Sequence, residues 1–235
     1  MGWASLEYRK EMIMLEMNQL YLMDCMEGMK QFPDKYFELA IVDPPYGINV
    51  DKNMAKNSCT QYGKAAAPKR KYISKGWDKK SPPKEYFDEL FRVSKNQIIW
   101  GANHFIESIN KNSSCWIVWD KHINGAFADC ELAWTSFTSP VRKFDYTWNG
   151  MIQENMKDKE IRIHPTQKPV ALYRWLLQQY AKEGDKILDT HVGSASSLIA
   201  CYDMGFDYIG FEIDEDYYNM AQKRIEENKA QLRMF

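Results

Sequence analysis

A chain of 235 residues with 45% hydrophobic side chains can bury the core of one α/β domain, and a net charge of −1 excludes a polyanion-binding surface spread over the whole molecule. Five cysteines without a Cys-x-x-Cys pair, and four histidines without metal-ligand spacing, argue against a metal site or a disulfide frame and for a reducing compartment. No apolar segment is long enough for a signal peptide or a membrane span, so the cytoplasm is the expected location.

Residues 1–16 read as a short helix or loosely held arm, and residues 17–235 as one domain. Gln19 to Met23 is a short strand running into Asp24, and Met26 to Phe32 is a turn or short helix. Glu38 to Val42 is a buried parallel strand, stopped by Asp43-Pro44-Pro45-Tyr46 because two prolines remove backbone donors and fix φ. The order of strand, acid, short helix, strand, acid belongs to a doubly wound sheet, which places Asp24 and Asp43 on one edge.

The turn has a chemistry of its own. An ionised Asp43 and the Pro44 carbonyl are two acceptors able to take both hydrogens of one exocyclic amine, and Tyr46 offers a flat face on which a base can stack. Acceptors aimed at those hydrogens would localise charge on a nitrogen as it attacks an incoming carbon. Taken alone, the same four residues equally suit a strand-ending turn with a solvent-facing tyrosine.

Residues 51–80 carry nine lysines and arginines, Lys52, Lys69, Arg70, Lys71 and Lys75 among them, against Asp51 and Asp78, with Tyr62, Tyr72 and Trp77 interleaved. Such a stretch is a solvated loop or, hanging off the acidic turn, a track for a phosphate backbone. Pro82-Pro83 opens a helix whose Tyr86, Phe87, Leu90, Phe91 and Val93 mark a core face. Short strands follow at 97–100, 115–119 and 131–135, with Gly101-Ala102-Asn103-His104 and Asp120-Lys121 at strand ends. Residues 138–162, with Arg142 and Lys143, read as an irregular segment able to touch substrate.

His164-Pro165-Thr166-Gln167-Lys168-Pro169 introduces a helix whose N-terminus, with Thr166 and Lys168 before it, suits a carboxylate; an ordinary capped helix is the alternative. Lys186 to Asp189 is a strand, followed by the turn Thr190-His191-Val192-Gly193-Ser194-Ala195-Ser196, a helix to Gly205, a strand Tyr208 to Glu212 and a last helix from Glu215 to Asn228. This is the dinucleotide-type βαβ layout with an acid at the end of its second strand. One glycine makes the turn a weak phosphate cradle, so a ligand with a ribose and no phosphate fits better.

Together these pieces resemble the S-adenosylmethionine-dependent amino-group DNA methyltransferases of β-type motif order, over roughly residues 18–228. Asp43-Pro44-Pro45-Tyr46 matches the catalytic tetrapeptide in its adenine-N6 form, His164 to Pro169 the hexapeptide that helps hold the methionine part of the cofactor, Leu188 to Ser194 the cofactor loop, and Ile209 to Glu212 the ribose-binding acid. The resemblance implies a Rossmann-like fold with a permuted motif order, a basic insert over 51–80, a target-recognition segment over 120–162 and a cofactor-binding part over 164–228. It implies a catalytic set of Asp43, Pro44, Pro45 and Tyr46, and a cofactor set of Asp24, Cys25, Asp43, His164, Thr166, Lys168, Asp189, His191, Gly193, Ser194, Ala195, Glu212 and Ile213. DNA contacts are expected from Lys52, Lys69, Arg70, Lys71, Lys75, Arg142 and Lys143, and no metal is expected.

The chain departs from the pattern where Thr190, His191 and Ala195 stand in place of Pro, Phe and a second Gly, which predicts weakened cofactor binding or a need for a partner. The expected function is methyl transfer from S-adenosylmethionine to the N6 amine of a flipped adenine in DNA, within a restriction-modification setting. A homodimer or a second specificity subunit is the expected partner besides DNA. The rival readings are an RNA adenine or DNA cytosine-N4 methyltransferase, and a non-catalytic subunit of the same fold.

Overall fold

The computed structural model describes residues 15–50, 75–122, 128–149 and 152–232. Of the expected arm over 1–16 only the last two residues fall within them, and of the basic stretch over 51–80 only 75–80.

Eight strands form one sheet: β1 (Gln19–Leu22), β2 (Phe37–Val42), β3 (Ser94–Trp100), β4 (Trp116–Asp120), β5 (Cys130–Thr135), β6 (Arg142–Asp145), β9 (Lys186–Asp189) and β10 (Asp207–Glu212). A separate antiparallel pair is made by β7 (Trp148–Asn149) and β8 (Ile152–Gln153). The sheet order is β1-β10-β9-β2-β3-β5-β4-β6. Every neighbouring pair is parallel except the two that involve β5, so β5 alone runs against the rest. The mostly parallel, doubly wound sheet read from the sequence is therefore the one observed. One local expectation changes: residues 142–145, read as irregular, extend the sheet as its last strand, paired with β4.

The short helices α1 (Cys25–Met29), α2 (Lys84–Val93) and α3 (Ile106–Ile109) cover one face, and α4 (Val170–Tyr180), α5 (Ser196–Met204) and α6 (Glu215–Leu232) the other. Strand alternation divides the core between them. In β2, Leu39 and Ile41 face the layer of Leu172, Leu176 and Leu198, while Ala40 and Val42 face Phe87, Leu90 and Val93. As its periodicity predicts, α2 buries Tyr86, Phe87, Leu90 and Val93, and Phe91 packs edge-on against Trp134.

From β9 the chain proceeds through α5 to β10, whereas from β2 it proceeds the opposite way across the sheet to β3. The crevice where strand order reverses, beyond the carboxyl ends of β9 and β2, is where ligands bind in such sheets. Asp24, Asp43, Gly101, Lys121 and Glu212 all follow or close strands that end on this edge. Because β5 is inverted, its first residues, Cys130 and Glu131, reach the same edge.

Helix α4 starts as its proline predicts, with Pro169 as the residue before its first turn, and ends at Tyr180, ahead of the stop expected at Gly184. Its free N-terminus is not open to an outside carboxylate. The Glu160 carboxylate accepts from the Val170 amide at 2.9 Å and takes the Arg224 guanidinium at 2.6 Å. Arg224, on α6, donates in turn to the Ser194 carbonyl at 2.6 Å and to Ser196 Oγ at 2.9 Å. Burial lowers the Arg224 guanidinium and raises the Glu160 carboxyl, each against the charge of the other.

Breaking a buried ion pair from one side leaves its partner unpaired, at a cost of about 3–5 kcal/mol. Arg224→Met is expected to lose about 3 kcal/mol of unfolding free energy in urea titrations, and Glu160→Gln combined with it to recover part of that loss.

Candidate functional site

Two cavities meet at the reversal crevice. The larger, about 550 Å³, is lined by Asp43, Pro44, Pro45, Tyr46, Trp77, His104, Trp119, Lys121, Glu131 and Trp148 among others. The smaller, about 290 Å³, lies between Asp24, His191, Gly193, Glu212 and Tyr217. Asp43, Pro45, Trp77, Thr166, Gln167 and Lys168 belong to both walls.

Asp43 ends β2, and each of its oxygens has a partner. Tyr46 Oη donates to Oδ1 at 2.7 Å and Lys168 Nζ to Oδ2 at 2.7 Å. The Tyr46 ring can fold back this far because it lies directly over Gly101, where a Cβ would come within 2.1 Å of it. Gly101 also needs its positive φ of 66° to begin the following turn. His104 stands nearly parallel to Tyr46, with ring centroids 5.0 Å apart, so the base-facing surface includes two rings where the sequence suggested one. The loop behind is clamped by Asp78, 1% exposed, which accepts from the Gly47 and Val50 amides at 2.8 and 2.7 Å.

Lys168 is 4% exposed, and its ammonium also reaches Glu131 Oε2 at 2.9 Å. Glu131 is held from its other side by Lys121 at 3.1 Å. Burial alone would raise Glu131, but Lys168 and Lys121 outweigh it and hold the carboxyl at about 2. Burial disfavours the Lys168 charge, yet Asp43 and Glu131 together raise it and keep it an ammonium. Glu131 and Lys121 were not anticipated as site residues; the sequence signal was a charged residue at each end of an apolar β-rich run.

Around the smaller cavity, Glu212 Oε2 accepts from the Gly193 amide at 2.8 Å and Oε1 from the Asp214 amide at 2.9 Å, which fixes the carboxylate and leaves further acceptor capacity. Asp24 caps α1 through the Met26 amide at 2.7 Å. The His164 ring packs edge-on to Tyr217 at 4.4 Å, and its Nδ1 accepts from the Thr166 amide at 3.3 Å. Of the expected cofactor set, Asp24, Cys25, Asp43, His164, Thr166, Lys168, His191, Gly193, Ser194, Glu212 and Ile213 line this cavity.

Several expectations need correction. Asp189 is buried and turned into its own loop, where its carboxylate accepts from Ser197 Oγ and from the His191 amide; it shapes the turn and does not line the cavity. Burial pushes its carboxyl up to about 7. Ala195 keeps the left-handed backbone of the glycine it replaces, φ 63°, and its methyl joins the core, away from the ligand space. Lys168 is committed to Asp43 and Glu131, so it is no free cation for a ligand carboxylate. Lys75 pairs with Asp214 and Asp216, both at 2.6 Å, and lies over the Tyr217 ring, so its charge is engaged within the chain. Lys143 pairs with Asp120 and Asp145 at 2.9 and 2.8 Å. Arg142 is exposed on the last strand of the sheet, and Lys52, Lys69, Arg70 and Lys71 lie outside the described residues.

The altered turn is internally satisfied. Thr190 Oγ1 shares hydrogen bonds with Tyr86 Oη at 2.6 Å and with His191 Nδ1 at 2.9 Å, so a hydroxyl and an imidazole replace an apolar pair and bond to each other. Burial lowers His191 to about 4 and His164 to about 3, which keeps both rings neutral near pH 7. Among the described residues, the smaller cavity is lined by the carboxylates of Asp24, Asp43, Glu212 and Asp214 and by the Lys168 ammonium, which is paired with Asp43, while Lys75 pairs with Asp214 from outside the lining. A phosphate is repelled there. A cationic, ribose-bearing ligand is favoured, with the aromatic ring of Trp77 in the wall, and Gly193 leaves the space that a Cβ would fill, 3.6 Å from the His164 ring. S-adenosylmethionine has this chemistry.

The model of the N6/N4 DNA methylase family matches residues 118–223. The Type II methyltransferase M.HinfI of Haemophilus influenzae is 25% identical across 94% of this chain and 71% of its own length. The chain is thus similar to the N6/N4 DNA methylases. A second relative, the Type II methyltransferase M2.DpnII of Streptococcus pneumoniae, is 29% identical over 64% of this chain, which spans 49% of it. The fold matches that of a DNA modification methylase from Thermus thermophilus complexed with S-adenosyl-L-methionine, with a TM-score of 0.53 at 17% identity over 89% of this chain and 95% of that one.

A histidine buried as the neutral ring stabilises the folded protein only while the unfolded chain is neutral too. As pH falls from about 6.5 to about 4 the unfolded state binds the proton first, and stability drops. The raised Asp189 carboxyl has the opposite slope in that window, so the test is a difference: wild type should lose unfolding free energy relative to His191→Phe as pH falls through it, with the gap constant above pH 7.

Proposed function

We propose that the chain transfers a methyl group from S-adenosylmethionine to the N6 amine of an adenine in DNA. The observation that carries this reading is the place of Asp43, whose carboxylate stands on the wall shared by the two cavities. An acceptor on that wall can hold an amine in the larger space while its nitrogen faces the smaller one.

The reactive amine of a paired base is unreachable inside the duplex, so the base must leave the stack. The larger cavity is walled by Tyr46, Trp77, His104, Trp119 and Trp148, aromatic surfaces against which a planar base packs. An ionised carboxylate offers about four acceptor sites. Tyr46 and Lys168 use one on each oxygen, and the remaining ones take a hydrogen of N6, with the Pro44 carbonyl as the second acceptor. As the new N–C bond forms, positive charge grows on N6, and these acceptors stabilise it before the nitrogen sheds one proton. Bound S-adenosylmethionine supplies an electrophilic methyl on sulfur. Asp24 and Glu212 are the residues we assign to its nucleoside part, and Gly193 and Ser194 to the close backbone approach. Alignment and exclusion of water supply most of the acceleration, through the shared Trp77 and Pro45 wall.

We assign sequence reading to residues 120–162. Lys121, Ala128, Glu131 and Trp148 from this segment wall the larger cavity, and Ile152, Met156 and Ile161 are exposed apolar side chains along it. A homodimer or a separate specificity subunit, and pairing with a restriction enzyme, remain part of the proposal. No helix among the described residues is long and apolar enough to cross a membrane.

Asp43→Ala should lower methyl transfer by about 100-fold or more, the size of effect seen when a transition-state hydrogen-bonding group is removed, while calorimetric titration with S-adenosylmethionine still gives heat. Labelled-methyl transfer followed by digestion to nucleosides should place the label in N6-methyladenine from DNA. Label in cytosine, or in RNA alone, would overturn the assignment.

A further inference from the structure

Lys168 was expected to hold a ligand, yet the structure ties it to two acids of the chain. Asp43, Lys168, Glu131 and Lys121 form a chain of alternating charge across the ends of β2, β5 and β4, with separations of 2.7, 2.9 and 3.1 Å. Lys168 lies over the face of the fully buried Trp100, 5.4 Å from its centroid, which leaves the ammonium little freedom to move elsewhere. Four residues from three separate stretches of sequence do not converge this way to hold a single helix start.

We infer that Lys168 is a positioning residue that keeps the Asp43 carboxylate ionised and aimed, by dividing one buried ammonium between Asp43 and Glu131 while Lys121 neutralises Glu131 from behind. The inference rests on the methyl-transfer reading, since it concerns the state in which Asp43 can accept an amine hydrogen.

Two carboxylates line one cavity here, and without the ammonium between them both could not stay ionised. Burial raises Asp43, Lys168 opposes that rise, and Glu131 adds to it. The other titratable groups around Asp43 do not substitute for Lys168. Tyr46, Tyr86 and Tyr173 are pushed up by burial and stay neutral, and Asp189 on the neighbouring strand is a further acid. His104 is stacked on Tyr46 and exposed. Lys121 reaches Asp43 only through Glu131. Arg162 also lines the larger cavity, but the cation in direct contact with Asp43 is Lys168.

The measurement is the acid limb of kcat against pH, at saturating S-adenosylmethionine and DNA, for wild type, Lys168→Met, Lys168→Arg and the double variant Lys168→Met with Glu131→Gln. Lys168→Met should move the limb to higher pH by about one to three units, the range a nearby opposite charge produces. Lys168→Arg should keep it near wild type, and adding Glu131→Gln to Lys168→Met should bring it part of the way back. Should Lys168→Met fail to fold in circular-dichroism melts, Lys121→Met carries the test. That change touches no atom of Asp43, yet it leaves Glu131 competing harder for Lys168 and should raise the limb by a smaller amount. Variants that lose activity with the limb unmoved, or a double variant shifted further than Lys168→Met, would overturn the inference. A wild type that methylates nothing would instead overturn the methyl-transfer reading.

Discussion

One ammonium held between two acids organises the edge of this sheet. The Lys168 side chain closes a space that would otherwise confine the like charges of Asp43 and Glu131, and a buried charge without a partner costs several kcal/mol. Its ties also fix the distance between β2 and β5, strands separated in the sheet by β3. The geometry of the Asp43 turn follows: with Oδ2 held by Lys168 and Oδ1 by Tyr46, the carboxylate has one orientation, and the tyrosine ring lies flat on Gly101.

The two cavities differ in electrostatic character because of how their walls are assembled. Carboxylates and neutral histidines surround the smaller one, which favours a cation over a phosphate. The larger is lined by three acids, Asp43, Asp78 and Glu131, and three bases, Lys121, Arg162 and Lys168, so its charges balance, and Tyr46, Trp77, His104, Trp119 and Trp148 give it flat faces suited to an uncharged ring system. Asp43 can serve both because it stands at the reversal of strand order, where neighbouring crossovers depart in opposite directions and leave the strand ends uncovered.

Much of this was legible in the sequence, for physical reasons that apply residue by residue. The run Leu39 to Val42 stopped by two prolines, the spacing of Tyr86, Phe87, Leu90 and Val93, and the acid about 20 residues beyond Asp189 each leave a mark in local order. What escaped depended on direction and on long-range pairing. Whether a short strand such as β5 runs with or against its neighbours is not written in its side chains, so Glu131 could not be placed at the site. Lys168 looked like a free cation because its partners are 125 residues before it and 37 before it in the chain. The N-terminus of α4 looked open because nothing local reveals that Glu160 occupies it. Asp189 and Ala195 were expected at the ligand by motif position, but a carboxylate can turn inward to brace its own loop, and a methyl can point to the core from a left-handed backbone.

No described residue between 79 and 163 lines the smaller cavity, whereas Lys121, Ala128, Glu131 and Trp148 help enclose the larger one. On the proposed function, the donor's seat and the reader of the target are contributed by different lengths of chain, joined through Glu160 and its grip on Arg224. Such a division would let side chains around the larger cavity be exchanged for a new target without disturbing those around the smaller one.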